Sequence, residues 1–214
     1  MFTSTNAPFL VLDGVDGCGK STQAARLVRH FAERAREGQA AFKEPLHLRE
    51  PGGTAVGEKL RDVLLSRDLG EVDPAVETLL FCASRAQMLR EKVAPALRDG
   101  HPVICERFNG STFAYQAVAG HLDEERVLDL LERWSSRPAP TMTFVLDVDP
   151  VAVLERRGEA SDRIEDKGVE FQIKVREGFK RWATRVPNVR VVDAVGAPEV
   201  VTDRILQELQ GIVS

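Results

Sequence analysis

The chain has 214 residues, 43% hydrophobic and 29% charged, with 29 basic against 33 acidic residues and a formal net charge of −4. Such a length and balance suit a single folded domain, 1–214, with a sizeable core; they exclude a disordered chain and argue against broad nucleic-acid binding. No apolar run approaches the roughly 20 residues that a bilayer-spanning helix needs, and the first seven residues lack a basic secretion leader, so a cytoplasmic location with no membrane partner is expected.

A short, nearly continuous apolar run at 9–12 has the character of a buried parallel strand. It is followed by Gly14-Val15-Asp16-Gly17-Cys18-Gly19-Lys20-Ser21, which fits G-x-x-x-x-G-K-[ST]. Beyond this loop Ala24, Leu27, Val28, Phe31 and Ala35 fall on one helical face, and Gly38 is placed to stop that helix. A strand is expected near 42–48 and a helix over 58–65. A longer helix opens at Asp73-Pro74, a cap followed by a first-turn proline, and runs through Leu79, Leu80, Ala83 and Met88 to Leu97, before Gly100. Strands at 102–105, 143–148 and 189–192 then alternate with helices over 124–134, 170–182 and 199–212. The alternation predicts an α/β fold built on a five-stranded parallel sheet, with right-handed crossovers and helices on both faces. Ligands bind such sheets beyond the carboxyl ends of the strands, where Asp13 to Ser21, Arg49 to Thr54 and Glu106-Arg107 should meet.

Each cluster has a chemical reading. Glycines let the backbone N–H groups of a phosphate loop close around phosphate oxygens. Lys20 adds a point charge, the Ser21 hydroxyl can ligate Mg²⁺, and the following helix turns its positive end to the anion. Phe81 and Arg85, four residues apart, share a helix face that suits a flat base with a polar edge. Glu106-Arg107 closes a buried strand, and charges there need partners such as a phosphate and a hydrated cation. Ser111 and Tyr115, again four apart, can hydrogen-bond to a base together with Gln116. Arg156, Arg157 and Arg163 flank a polar segment, 158–162, which reads as a mobile lid at about 156–168 that brings positive charge over a transferring phosphoryl group. Taken singly, these features also fit a surface turn, a core aromatic, an internal ion pair and an exposed basic loop. His30, His47, His101 and His121 are scattered and read as surface or structural residues. Cys18, Cys82 and Cys105 cannot all pair and lack metal-ligand spacing, so they read as reduced thiols with no zinc site.

In order along the chain, Asp13 to Gln23, Arg49 to Thr54, Leu80 to Gln87, Glu106 to Gln116 and Asp162 to Glu165 resemble the thymidylate kinase family from Phe9 to about Phe179. The resemblance implies a three-layer P-loop nucleoside monophosphate kinase fold, transfer of the γ-phosphate of ATP to dTMP with Mg²⁺ in dTTP biosynthesis, and a homodimer. By the same resemblance Gly14, Val15, Asp16, Gly17, Cys18, Gly19, Lys20, Ser21 and Thr22 hold the ATP phosphates, and Ser21 and Glu106 face the metal. Asp16, Arg49, Phe81, Arg85, Arg107, Ser111, Tyr115 and Gln116 hold dTMP. Gly17 stands where part of the family has a loop arginine, so catalysis falls to Lys20, Arg107 and the lid arginines Arg157 and Arg163. The family usually has Asp-Arg-Tyr where this chain has Glu106-Arg107-Phe108, and glutamate where it has Asp13. Two further readings stay open, a related kinase with another nucleotide or nucleoside acceptor and a P-loop NTPase switch; the switch's guanine-reading Asn-Lys-x-Asp motif is absent.

Overall fold

The computed structural model describes residues 7–38, 41–154 and 163–210. Five strands, β1 (Phe9–Asp13), β2 (Leu46–Arg49), β3 (Val103–Glu106), β4 (Met142–Asp147) and β5 (Val189–Asp193), form one parallel sheet in the order β2-β3-β1-β4-β5. Central β1 is buried at all five residues, which is why it is apolar without alternation from Phe9 to Leu12; the fifth residue, Asp13, begins the site. Its successive side chains enter different cores: Leu10 and Leu12 cluster with Leu27 and Phe31, whereas Phe9 and Val11 cluster with Met88, Leu89 and Val93.

The helices are α1 (Lys20–Arg36), α2 (Ala55–Leu65), α3 (Pro74–Met88), α4 (Ala94–Arg98), α5 (Asn109–Thr112), α6 (Glu124–Ser135), α7 (Pro150–Leu154), α8 (Gly168–Arg185) and α9 (Pro198–Leu209). Several of their starts follow from capping side chains. Thr54 accepts from the Gly57 amide, Asp73 from Ala75, and Asp123 from Arg126.

Three local outcomes differ from the sequence pattern. The strand expected at 42–48 is confined to β2, and Phe42 instead packs its ring 5.4 Å from that of Phe31. The long helix beginning at Asp73-Pro74 reaches Arg98, but through a π-helical turn at Leu89–Val93. Pro95 has no N–H for the carbonyl of residue 91 and its ring crowds that carbonyl, so the helix widens there. A second π-helical turn, Phe113–Val118, continues α5. Gly178 of α8 lies close against it: a Cβ there would be 2.7 Å from the Ala114 Cα.

Register positions the site. Arg49 lies opposite Glu106, Glu106 opposite Leu12, and Asp13 opposite Val145, so the carboxyl ends of β1, β2 and β3 are level. Of the expected lid, Arg156 and Arg157 lie outside the described residues, and Arg163 lies within them.

Candidate active site

Between β1 and α1 the chain turns through Gly14, at φ 136°, where a Cβ would sit 2.7 Å from the Leu146 carbonyl oxygen. Gly19, at φ 98°, caps α1 with nothing within 4 Å of its would-be Cβ, leaving the helix N-terminus open to a ligand. Lys20 curls over this loop, its Nζ donating to the carbonyls of Gly14 at 2.9 Å and Val15 at 2.7 Å. Burial, reinforced by the Arg107 charge, pushes its pKa below the usual lysine range.

At the end of β3, the Ser21 hydroxyl donates to Glu106 Oε2, and His47 Nε2 lies 3.0 Å from Glu106 Oε1. Burial alone would raise the Glu106 pKa, but the hydrogen bonds from His47 and Ser21 outweigh it and hold the carboxyl below its ordinary value. The longer reach of glutamate is thus taken up between two partners. A hydroxyl and a carboxylate beside a phosphate loop are hard oxygen donors of the kind Mg²⁺ takes when water and phosphate complete its shell. Among the described residues no group of three or more His, Cys, Asp and Glu side chains could form an all-protein cage.

Next to the loop opens a cleft that joins charged, hydroxyl and aromatic side chains. Asp16, Arg49, Phe81 and Arg85 line it, as do Arg107, Ser111, Tyr115 and Gln116, so the expected acceptor residues are brought together. Arg107 sits at φ 69°, an unusual conformation for a residue with a Cβ, which the surrounding bonds must sustain. Its guanidinium pairs with Asp16 Oδ1 and donates to Ser111 Oγ at 3.3 Å and Tyr115 Oη at 3.4 Å. The other Asp16 oxygen accepts from Tyr115 Oη at 2.8 Å and from Gln172 Nε2 of α8 at 2.9 Å. Burial pushes the Tyr115 phenol well above its ordinary pKa. Ser111 Oγ donates to Asp13 Oδ1 at 2.6 Å, and burial raises the Asp13 carboxyl as well.

Arg85 is 1% exposed. It donates through Nε to Glu50 Oε2 at 2.7 Å, through Nη1 to Asn109 Oδ1 at 2.9 Å, and through Nη2 to the Phe108 carbonyl at 3.2 Å and Thr112 Oγ1 at 3.0 Å. One Nη1 hydrogen remains of the five. Arg85 is therefore a fixed donor in the wall of the cleft, beside the Phe81 with which it is expected to hold the acceptor. Cations suited to a phosphate are Arg107, Arg49 and Arg61, the last also donating to the Pro51 carbonyl at 2.9 Å. Burial lifts Glu50 to a pKa of about 7, against the lowering pull of Arg85.

Arg163 departs from its expected place. Its Nη1 donates to Glu77 Oε1 at 2.7 Å and its Nη2 to the Leu64 carbonyl at 2.9 Å, so the guanidinium is committed to the cleft wall rather than to the phosphate loop. Arg157 lies outside the described residues.

His47, Arg61, Glu77 and Gln172 are functional candidates that the sequence reading missed. Only His47 carried a signal, since it lies two residues from Arg49 and thus on the same face of β2. Gln172 and Glu77 reach the site through partners 156 and 39 residues away, beyond any local pattern.

A parallel sheet with a phosphate loop after its central strand, and an acceptor cleft at the loop's mouth, define a P-loop nucleoside monophosphate kinase. The sequence matches the family model described as Thymidylate kinase over residues 12–205. It is 41% identical over 180 residues to the thymidylate kinase of Caldanaerobacter subterraneus subsp. tengcongensis, spanning 84% of this chain and 83% of that one. Against the Chlamydia muridarum thymidylate kinase it is 40% identical over 210 residues, 96% of this chain and all of the other. A crystal structure of thymidylate kinase from Ehrlichia chaffeensis superposes with a TM-score of 0.76 at 27% identity, covering 95% of this chain and 99% of that one. The chain belongs to the thymidylate kinase family.

Proposed function

We propose that the protein transfers the γ-phosphate of ATP to dTMP, giving dTDP and ADP. The observation that carries this is the double position of Asp16, which is a residue of the phosphate loop and also a wall of the acceptor cleft. Donor and acceptor phosphates would be bound on either side of one residue, as in-line transfer requires.

The loop from Gly14 to Thr22 holds the ATP phosphates, and Lys20 exchanges its bonds to the loop carbonyls for phosphate oxygens. Ser21 and Glu106 hold Mg²⁺, which neutralises charge on the transferring phosphates when bound. Arg107, with Arg49 and Arg61, steadies the acceptor phosphate, while Asp16 meets the sugar and Phe81 stacks on the base. Arg157 is the lid arginine left to reach the transition state. The acceptor phosphate is already ionised near neutral pH, so no protein base is needed. We further infer a cytoplasmic homodimer of one-domain subunits. The described residues include no helix long and apolar enough to cross a membrane. Leu79 at 56% and Trp134 at 69% exposure leave apolar surface on α3 and α6, which pack side by side and would pair with a second copy.

The test is coupled-assay ADP release with ATP and Mg²⁺ across dTMP, dUMP, dGMP, AMP and thymidine. Strong turnover is expected with dTMP and little with no acceptor. Preference for thymidine or a purine nucleotide would move the protein to a related kinase, and acceptor-independent turnover to a switch.

A further inference from the structure

We propose that Glu77 fixes the polarity with which the acceptor cleft reads a pyrimidine ring, and that Arg163 is the positioning residue that keeps Glu77 in that role; the inference rests on the dTMP reading above.

Glu77 lies one helical turn before Phe81 on α3 and is 1% exposed. A carboxylate so deeply buried needs compensation. Its Oε1 meets Arg163 Nη1 at 2.7 Å and Lys167 Nζ at 3.7 Å, and its Oε2 accepts from Gln116 Nε2 at 3.0 Å. A carboxylate only accepts, so the side of the Gln116 amide turned towards it has to be the nitrogen. The amide oxygen then points the other way. Gln116 lines the cleft, and its oxygen neither bonds within the described protein nor is sealed away from the cleft.

An amide oxygen held in that direction accepts a hydrogen bond and cannot donate one. Thymine and uracil carry N3–H and can supply it. Cytosine carries an unprotonated N3, which would set lone pair against lone pair and leave both groups unsatisfied in a buried place. Selectivity for the N3–H class therefore originates not at the substrate but in the ion pair beneath Gln116. That ion pair also anchors the chain at 163–167 to the cleft: Arg163 reaches the Leu64 carbonyl of α2, and Ile164 lines the cleft beside it. Arg163 thus acts through Glu77 and Gln116, and does not touch the reacting phosphates.

The experiment compares kcat/KM for dTMP, dUMP and dCMP in the wild type, Glu77→Gln, Arg163→Gln and Arg163→Lys, with thermal melts to confirm folding. A glutamine in place of Glu77 can turn its own NH₂ towards Gln116 and allow that amide to reverse. Glu77→Gln should raise the dCMP to dTMP ratio at least tenfold, mostly through KM. The dUMP to dTMP ratio, between two bases that both carry N3–H, should stay within twofold. Simple loosening of the cleft would shift both ratios or neither. Arg163→Gln removes the short charged contact that holds Glu77 Oε1 in place, with only the longer one from Lys167 left, so the carboxylate is free to turn away and Gln116 to reverse. It should therefore reproduce the shift, and Arg163→Lys should restore the wild-type ratios. An unchanged dCMP to dTMP ratio in folded Glu77→Gln overturns the inference, as do matching ratios in the two Arg163 variants. Should Glu77→Gln fail to fold, the Arg163 pair decides alone. Absence of dTMP turnover in the wild type would instead refute the proposed function before any variant is compared.

Discussion

The two ends of the cleft are built on opposite plans. At the phosphate loop the working groups belong to consecutive residues and are mostly backbone, held by glycine torsions and by one lysine that bonds its own loop. At the acceptor end they are side chains from α3, α5, the following π-helical turn and α8, held by bonds between distant residues such as Arg107 to Asp16 and Gln172 to Asp16. A phosphate offers similar oxygens in many directions and suits a shell of N–H groups, whereas a base has one edge of fixed donor and acceptor pattern. Side chains locked by a supporting set of bonds can match that edge.

The largest expected effect is at the loop. Lys20→Ala should lower kcat by roughly 10²–10³-fold, the magnitude typical of removing one preorganised charge from a transition state. Binding of dTMP, measured by calorimetry without ATP, should hardly change. A comparable loss of dTMP affinity would show that the two ends are not separable.

Arg107→Ala attacks the acceptor end at its hub. It takes from Asp16, with a side chain 8% exposed, the guanidinium paired with it, and loss of one partner of a buried pair costs about 3–5 kcal/mol. We expect kcat/KM for dTMP to fall about 10²-fold or more together with a lower melting temperature. Arg107→Lys should recover little, since one ammonium cannot reproduce a fork that meets Asp16, Ser111 and Tyr115 together. Full recovery by lysine would reduce the hub to a point charge.

The same contrast explains what was legible in the sequence. The loop is a local motif, and its glycines, lysine and serine stand in the spacing their geometry needs. β1 was legible because a strand covered on both faces shows a continuous apolar run, here Phe9 to Leu12. α3 was legible from its Asp73-Pro74 start, but the π-helical turn after it depends on how one proline is accommodated inside a helix. The acceptor residues were legible as types and through the family resemblance, not as a bonding scheme. Nothing local to Arg163 distinguishes an arginine that closes over phosphate from one that pairs with a glutamate 86 positions earlier. His47 reads in the sequence as one of four scattered histidines, although alternation along β2 places it on the same face as Arg49.

A smaller effect is expected from Phe81→Ala. Stacking beyond simple burial contributes about 1 kcal/mol, and lost contact area adds to it, so the KM for dTMP should rise roughly tenfold. The KM for ATP should stay nearly constant. Equal changes in both would make Phe81 part of the packing between the ends and not of the acceptor site alone.

The smallest effect sharpens the comparison through pH. Burial raises Glu50 from an ordinary 4.5 to about 7 in the folded protein. Between those values the unfolded chain has released this proton while the folded chain retains it. The folded state therefore binds more protons, and this group's contribution to stability falls as pH rises through the window and levels off above about 7. The glutamine of the Glu50→Gln variant has no proton to lose. The melting temperature of the wild type relative to Glu50→Gln should thus decline from pH 5 to pH 8, whatever the offset from replacing the partner of Arg85. The loop end predicts no such slope for a Thr22→Val control, because that hydroxyl does not titrate in this range. If the wild type and Glu50→Gln run parallel, the Glu50 carboxyl is already ionised throughout the window, and Arg85 is held by a full ion pair at every pH at which the enzyme is assayed.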